Sequence, residues 1–213
     1  MLLTTIWRAT SPINKRFAAT ARSGSRTVLS HSQARDVLEL AFEARGIKPS
    51  ARELQAVQAI AHLESFYGSK ANNWGSIQSN QSPPCGPNAI ELTDTHADGT
   101  PYQWCYRAYP TPQAGAEDLL AQLYRRKGVP QALKDGTGLE VAQAMRATGY
   151  FEAPADRYGK GITDRARIIS EALKEPFLLG TAPPAKVSSS RAGVGVAVVG
   201  VLALGLVLLY RRA

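Results

Sequence analysis

The chain has 213 residues, of which 44% are hydrophobic and 20% charged, with a formal net charge of +8. That length holds one domain with a real core plus tails, and excludes a large multidomain assembly. The charge does not mark a nucleic-acid binder. Residues 36–175 carry all 17 Asp and Glu against 15 Lys and Arg, a net of −2; the basic excess sits in the two tails, which carry no acid at all.

Residues 1–31 read as a basic, flexible arm with a transit-peptide-like composition. Its apolar start, MLLTTIW, is too short for a secretory signal. A domain is expected over 32–176. It opens with a helix over 32–46 carrying Val37, Leu38, Leu40, Ala41 and Phe42 and stopping at Gly46. Ser50 with Glu53 forms a capping box, and the helix after it is expected to run to Gly68. At about 100° per residue, Leu54, Ala61, Val57, Glu64, Ile60 and Tyr67 share one arc, so Glu64 stands inside an apolar stripe in the last turn. Burial and the helix dipole both disfavour its anion there. A carboxylic acid that stays protonated near neutrality is what general-acid cleavage of a glycosidic bond requires.

Beyond this helix, Trp74–Gln78 is a candidate short strand. Ile90–His96 and Pro101–Tyr109 form a hairpin about Ala97-Asp98-Gly99. Cys85 and Cys105 flank it and are either a disulfide or two reduced fillers, according to compartment. Tyr102 and Trp104 are candidate sugar platforms on the hairpin, ordinary packing being the alternative. Thr111 caps a helix with Pro112 at its first position. Further helices are expected at Pro130–Lys134, Leu139–Ala147 and Ala155–Lys174. Neither a metal site nor a cofactor is expected, because His31, His62 and His96 are scattered.

Residues 177–192 read as a Pro/Ser linker and 193–210 as an uncharged transmembrane helix of 18 residues. Residues 211–213 complete the chain as a basic tail, Arg211-Arg212 acting as the stop. The lipid bilayer is therefore an expected partner; no nucleic acid is expected for the net-acidic folded domain, and the basic arm is the one segment that could bind it. The expected location is a single-pass membrane protein whose domain is periplasmic or delivered in a virion.

Glu64-Ser65-Phe66-Tyr67-Gly68 followed by Asn72-Asn73-Trp74-Gly75-Ser76-Ile77 resembles the lysozyme-like peptidoglycan hydrolases. Within them it is most similar to the glucosaminidase family that includes the flagellar rod-cap muralytic domain. Tyr106-Arg107-Ala108-Tyr109 with Glu117-Asp118-Leu119, and Gly149-Tyr150 with Pro154, Tyr158 and Gly161, resemble two later passages of that family. The resemblance spans about residues 35–175. It implies an α+β fold, mainly α, with a small β-hairpin, and a substrate of peptidoglycan glycan strands.

It also implies that Glu64 is the catalytic acid, that Asn73 and Trp74 line the sugar groove, and that Tyr150 lies beside the acid. The family often places a second acid on the hairpin. Here Thr95 stands at that place, with Asp94 one residue away, and a one-residue slip reverses the face of a strand. Asp94 is therefore a candidate rather than a match, with Glu91 and Asp98 weaker ones. With two carboxylates the domain would hydrolyse the strand as a glucosaminidase or muramidase; with Glu64 alone, lytic transglycosylase chemistry is favoured, and substrate-assisted hydrolysis through the N-acetyl group is a third route. The rival reading is a membrane-anchored peptidoglycan-binding or structural virion or envelope protein with a degenerate site.

Overall fold

A computed structural model describes residues 28–95 and 99–180, apart from the side chains of Asp94 and Thr95. Among the described residues are six helices: α1 (His31–Ala44), α2 (Ala51–Ser65), α3 (Pro112–Tyr124), α4 (Val129–Asp135), α5 (Gly138–Ala147) and α6 (Ala155–Leu173). One antiparallel hairpin, β1 (Ala89–Thr95) and β2 (Pro101–Arg107), precedes α3, giving the expected α+β, mainly α architecture. Helix starts follow side-chain chemistry. Ser30 with Gln33, Ser50 with Glu53, and Thr137 with Glu140 form reciprocal capping boxes, and Thr111 caps α3 with Pro112 next to it.

The element at the centre is α2, packed by α1, α4 and α6 and buried on every side from Glu53 to His62. Its apolar arc alone does not explain this. Glu53, Gln55 and Gln58 are buried too, and each is satisfied, as buried polar groups must be. Tyr124 donates to Glu53; Gln55 donates to Ser170 Oγ (2.8 Å) and the Pro176 carbonyl (3.0 Å); Gln58 donates to the His31 carbonyl (2.8 Å) and accepts from Arg35 (2.6 Å). These bonds lock both ends of the domain onto one helix, so Glu64 projects from a rigid base.

Four expectations are corrected. The α2 helix stops at Ser65, not Gly68, because Phe66 and Tyr67 already have positive φ (49° and 61°). Trp74–Gln78 is not a strand; only a bridge from Gln78 to Tyr106 forms. The expected linker starts too early, since Leu179 is 1% exposed in the core and the Leu178 N–H donates to Gln55 (2.8 Å). The membrane localisation also fails: among the described residues no helix is long and apolar enough to cross a bilayer. The longest, α6, carries Asp156, Arg157, Lys160, Asp164, Arg165, Arg167 and Glu171, charges that a hydrocarbon layer does not admit. The span expected at 193–210 lies outside the described residues, as do the arm at 1–27, His96, Ala97 and Asp98.

Candidate active site

Ser65 closes α2 and begins the site. Its hydroxyl donates to the Trp74 carbonyl (3.0 Å) and accepts from the Gly68 N–H (2.8 Å), tying the helix end to the loop that returns beneath it. Gly68 has φ +72°, and a Cβ there would stand 2.6 Å from the Trp74 ring, so a side chain is excluded on both counts. Ser76 Oγ donates to the main-chain carbonyl of Glu64 (2.8 Å). The loop thus fixes the backbone that carries Glu64.

The Glu64 side chain lines a cavity of about 290 Å³, together with Ser69, Lys70, Asn73, Thr93 and Tyr106 among others. Helix end, loop and hairpin each supply a wall. Burial raises the Glu64 carboxyl from 4.5 to about 7, against a smaller opposing effect from the hydrogen bond donated by Tyr158. At neutral pH the group is therefore divided between acid and carboxylate. Burial and the nearby Glu64 charge push both Tyr158 and Tyr150 well above the usual phenol value, so both remain neutral donors.

The direct partner of Glu64 is Tyr158, from the first turn of α6, backed by Phe151 stacked at 3.9 Å. Tyr150 lies near enough for its titration to feel Glu64, but its hydroxyl donates to the Gly75 carbonyl at 3.3 Å. Both tyrosines stand in the passage that carried the resemblance. Sequence position does not choose between them; the packing of α6 on α2 does.

The other expected site residues separate into groove and scaffold. Asn73 lines the cavity, yet its amide is spent on the backbone: it donates to the Ile77 (2.9 Å) and Arg107 (3.0 Å) carbonyls and accepts from the Ile77 N–H (2.8 Å). Trp74 is fully buried, packed on Tyr67 at 5.8 Å, and so offers no face to a sugar. Tyr102 and Trp104 are half-buried and outside the cavity lining, although strand alternation puts them on one face of β2 with Tyr106, which does line it. On β1, Thr93 and Leu92 reach the cavity; Asp94 pairs in register with Tyr102, and its side chain lies outside the described residues. Glu64 is the one carboxylate among the described lining residues.

Cys85 and Cys105 are joined as a disulfide, which ties the loop before β1 to β2. Arg107 (2.9 Å) and Tyr109 both donate to Asp118, which explains the Tyr106–Tyr109 and Glu117–Leu119 passages as the clamp between hairpin and α3. No cluster of three or more metal-ligating side chains occurs among the described residues.

No protein-family model matches the sequence, and neither does any curated protein. Solved structures do. A mutant of the peptidoglycan hydrolase from Sphingomonas sp. A1 aligns with TM-score 0.50 at 13% identity, over 68% of this chain and 96% of that one. The glycoside hydrolase domain of Salmonella typhimurium FlgJ aligns with TM-score 0.46 at 19% identity, over 68% and 92%. The catalytic domain of the autolysin Auto from Listeria monocytogenes aligns with TM-score 0.40 at 13% identity, over 78% and 86%. At such identities the likeness is one of fold, and the first alignment carries it.

Proposed function

We propose that this chain is a glycosidase that cuts the glycan strands of peptidoglycan, with Glu64 as the general acid. The observation that carries the reading is a carboxyl group raised to about 7 by burial at the wall of a solvent-reaching cavity. An ordinary surface carboxylate would be ionised and useless as an acid at neutral pH. The fold shared with the Sphingomonas peptidoglycan hydrolase supports the choice of polymer.

In the proposed reaction, protonated Glu64 gives its proton to the glycosidic oxygen as the C1–O bond breaks and positive charge develops on the sugar ring. The resulting Glu64 carboxylate, held by the Tyr158 hydroxyl, then accepts a proton from the attacking hydroxyl. If that hydroxyl belongs to water, the product has a reducing end. If it is the sugar's own, an anhydro ring closes. A cavity lined by one carboxylate favours the routes that need only one, in which the substrate supplies its own nucleophile. Asp94 is the candidate second carboxylate for direct hydrolysis.

Product analysis by mass spectrometry separates these. The full wild-type chain should release soluble muropeptides from purified peptidoglycan, and Glu64→Gln should lower the rate by about 10² to 10⁴-fold, the usual worth of a positioned general acid. Anhydro ends with little effect of Asp94→Asn would assign transglycosylation; reducing ends abolished by Asp94→Asn would assign hydrolysis by two carboxylates. The second reading is a peptidoglycan-binding protein with a degenerate site, favoured by the single carboxylate in the cavity lining. Binding without release by the folded wild-type chain would establish it.

A further inference from the structure

The cavity beside Glu64 has a neighbour. A second cavity, of about 390 Å³, is lined by Leu29, His31, His62 and Tyr67 and shares Phe66 and Ser69 with the first. Phe66 is thus the wall between them. It is 52% exposed and left-handed (φ 49°), an uncommon backbone state for a bulky residue and one that clusters at functional sites. The His62 ring meets Phe66 edge-on at 4.8 Å, and the Arg165 guanidinium lies over its face, 5.7 Å from the centroid.

Two features give this second cavity a chemistry. Its imidazoles are neutral: burial first, then the charge of Arg165, holds His62 down at about 4, and burial lowers His31, whose Nδ1 meets Tyr67 Oη at 2.6 Å. His62 is 8% exposed, and its Nδ1 has no hydrogen-bond partner among the described residues. The other feature is Arg165 itself. Neighbouring Asp164 is taken by Lys160 and Arg167, and Arg165 meets no carboxylate among the described residues. A guanidinium over the ring that walls the cavity, with a donor fork and no counter-charge among the described residues, suits a carboxylate-bearing guest.

Resting on the glycan reading of the first cavity, we propose that the second binds the acidic peptide substituent carried by the strand being cut. Arg165 is its carboxylate partner, His62 and Ser69 meet its amides, and Phe66 separates peptide from sugar. A further neutral sugar would leave Arg165 unmatched, which disfavours that occupant.

Calorimetry on the full chain carrying Glu64→Gln tests this without turnover. The probes are soluble glycan fragments bearing peptide, and the same fragments after an amidase has hydrolysed the lactyl–peptide amide. That removes the peptide and frees a lactyl carboxylate on the sugar, so that any preference for the first set reports the peptide and not merely a charge. Peptide-bearing fragments should bind about five-fold tighter or better, roughly one well-placed charged contact, and Arg165→Gln should bring the ratio towards one. Equal affinity for the two fragments overturns the proposal, as does binding of neither, or a ratio unchanged in a folded Arg165→Gln protein. The comparison of fragments needs no second variant. If wild-type protein cleaves nothing, the acid assignment of Glu64 fails, while the affinity ratio still decides the subsite.

Discussion

At the scale of a residue, the site turns on one carboxyl group and one phenol. Glu64 loses hydration and is thereby raised, while the Tyr158 hydroxyl stabilises the ionised form and holds the rise in check. The sign of the pH dependence follows. A general acid acts when protonated, so activity should fall as pH rises through about 7. Tyr158→Phe removes the donor that favours the carboxylate, so the Glu64 pKa should rise further. A hydrogen bond to a charged group is worth about 1.5 kcal/mol, or about one pH unit, and the alkaline limb of kcat/KM should move up by about that much. Turnover below the limb should drop as well, because the carboxylate left after proton donation loses its partner. A limb that stays in place in Tyr158→Phe would show that Tyr158 packs against Glu64 without tuning it.

At the scale of elements, the helices were legible because their signals are local: a capping serine or threonine, a glutamate or glutamine three residues on, a proline at the first turn. The hairpin was legible from alternation and its Asp-Gly turn. What could not be read was the path between α2 and β1, where the backbone departs from both periods. Phe66, Tyr67, Ala71, Asn72 and Ser76 all take positive φ without being glycine, held there by tertiary bonds such as Tyr109 N–H to the Ala71 carbonyl at 2.9 Å. That path buries Trp74, which leaves it no face for a sugar, and spends the Asn73 amide on the backbone while Asn73 still lines the cavity. The resemblance singles out Tyr150, but Tyr158 lies eight residues on, across a helix start, and only packing decides which one meets Glu64. Gly115 in α3 supports this loop from below, since a Cβ there would meet the Asn72 carbonyl at 1.8 Å. Helix propensity alone favours alanine at such a position by about 1 kcal/mol. Gly115→Ala should instead destabilise the protein by about 2 kcal/mol or more in urea, because the clash is with backbone and the whole 72–76 loop must move. It should also lower activity beyond what the lost stability explains. A stabilised variant would mean that the loop yields freely, contrary to its bonding.

At the scale of the whole molecule, both ends of the described chain close over α2. Leu29 enters the core before α1 starts, and Arg35 pairs with Glu175 at 2.9 Å. After α6, the strand of chain from Pro176 to Leu179 lies along Gln55, which bonds the Pro176 carbonyl and the Leu178 N–H. Composition hid this, because Pro, Gly and Ser soon after a helix read as linker whether or not a single leucine among them is buried. The consequence is that the helix carrying Glu64 is held by contacts from both ends of the described chain. Leu179→Ala distinguishes a core residue from a linker residue in the full chain. A linker position should change stability by no more than about 0.5 kcal/mol. A leucine that is 1% exposed should lose about 2 to 4 kcal/mol, from lost burial plus the cavity left beside α2. Urea midpoints at constant m-value give the difference directly. A loss of that size would also loosen the seat of Gln55, so cleavage should fall at temperatures where the wild type is still fully folded.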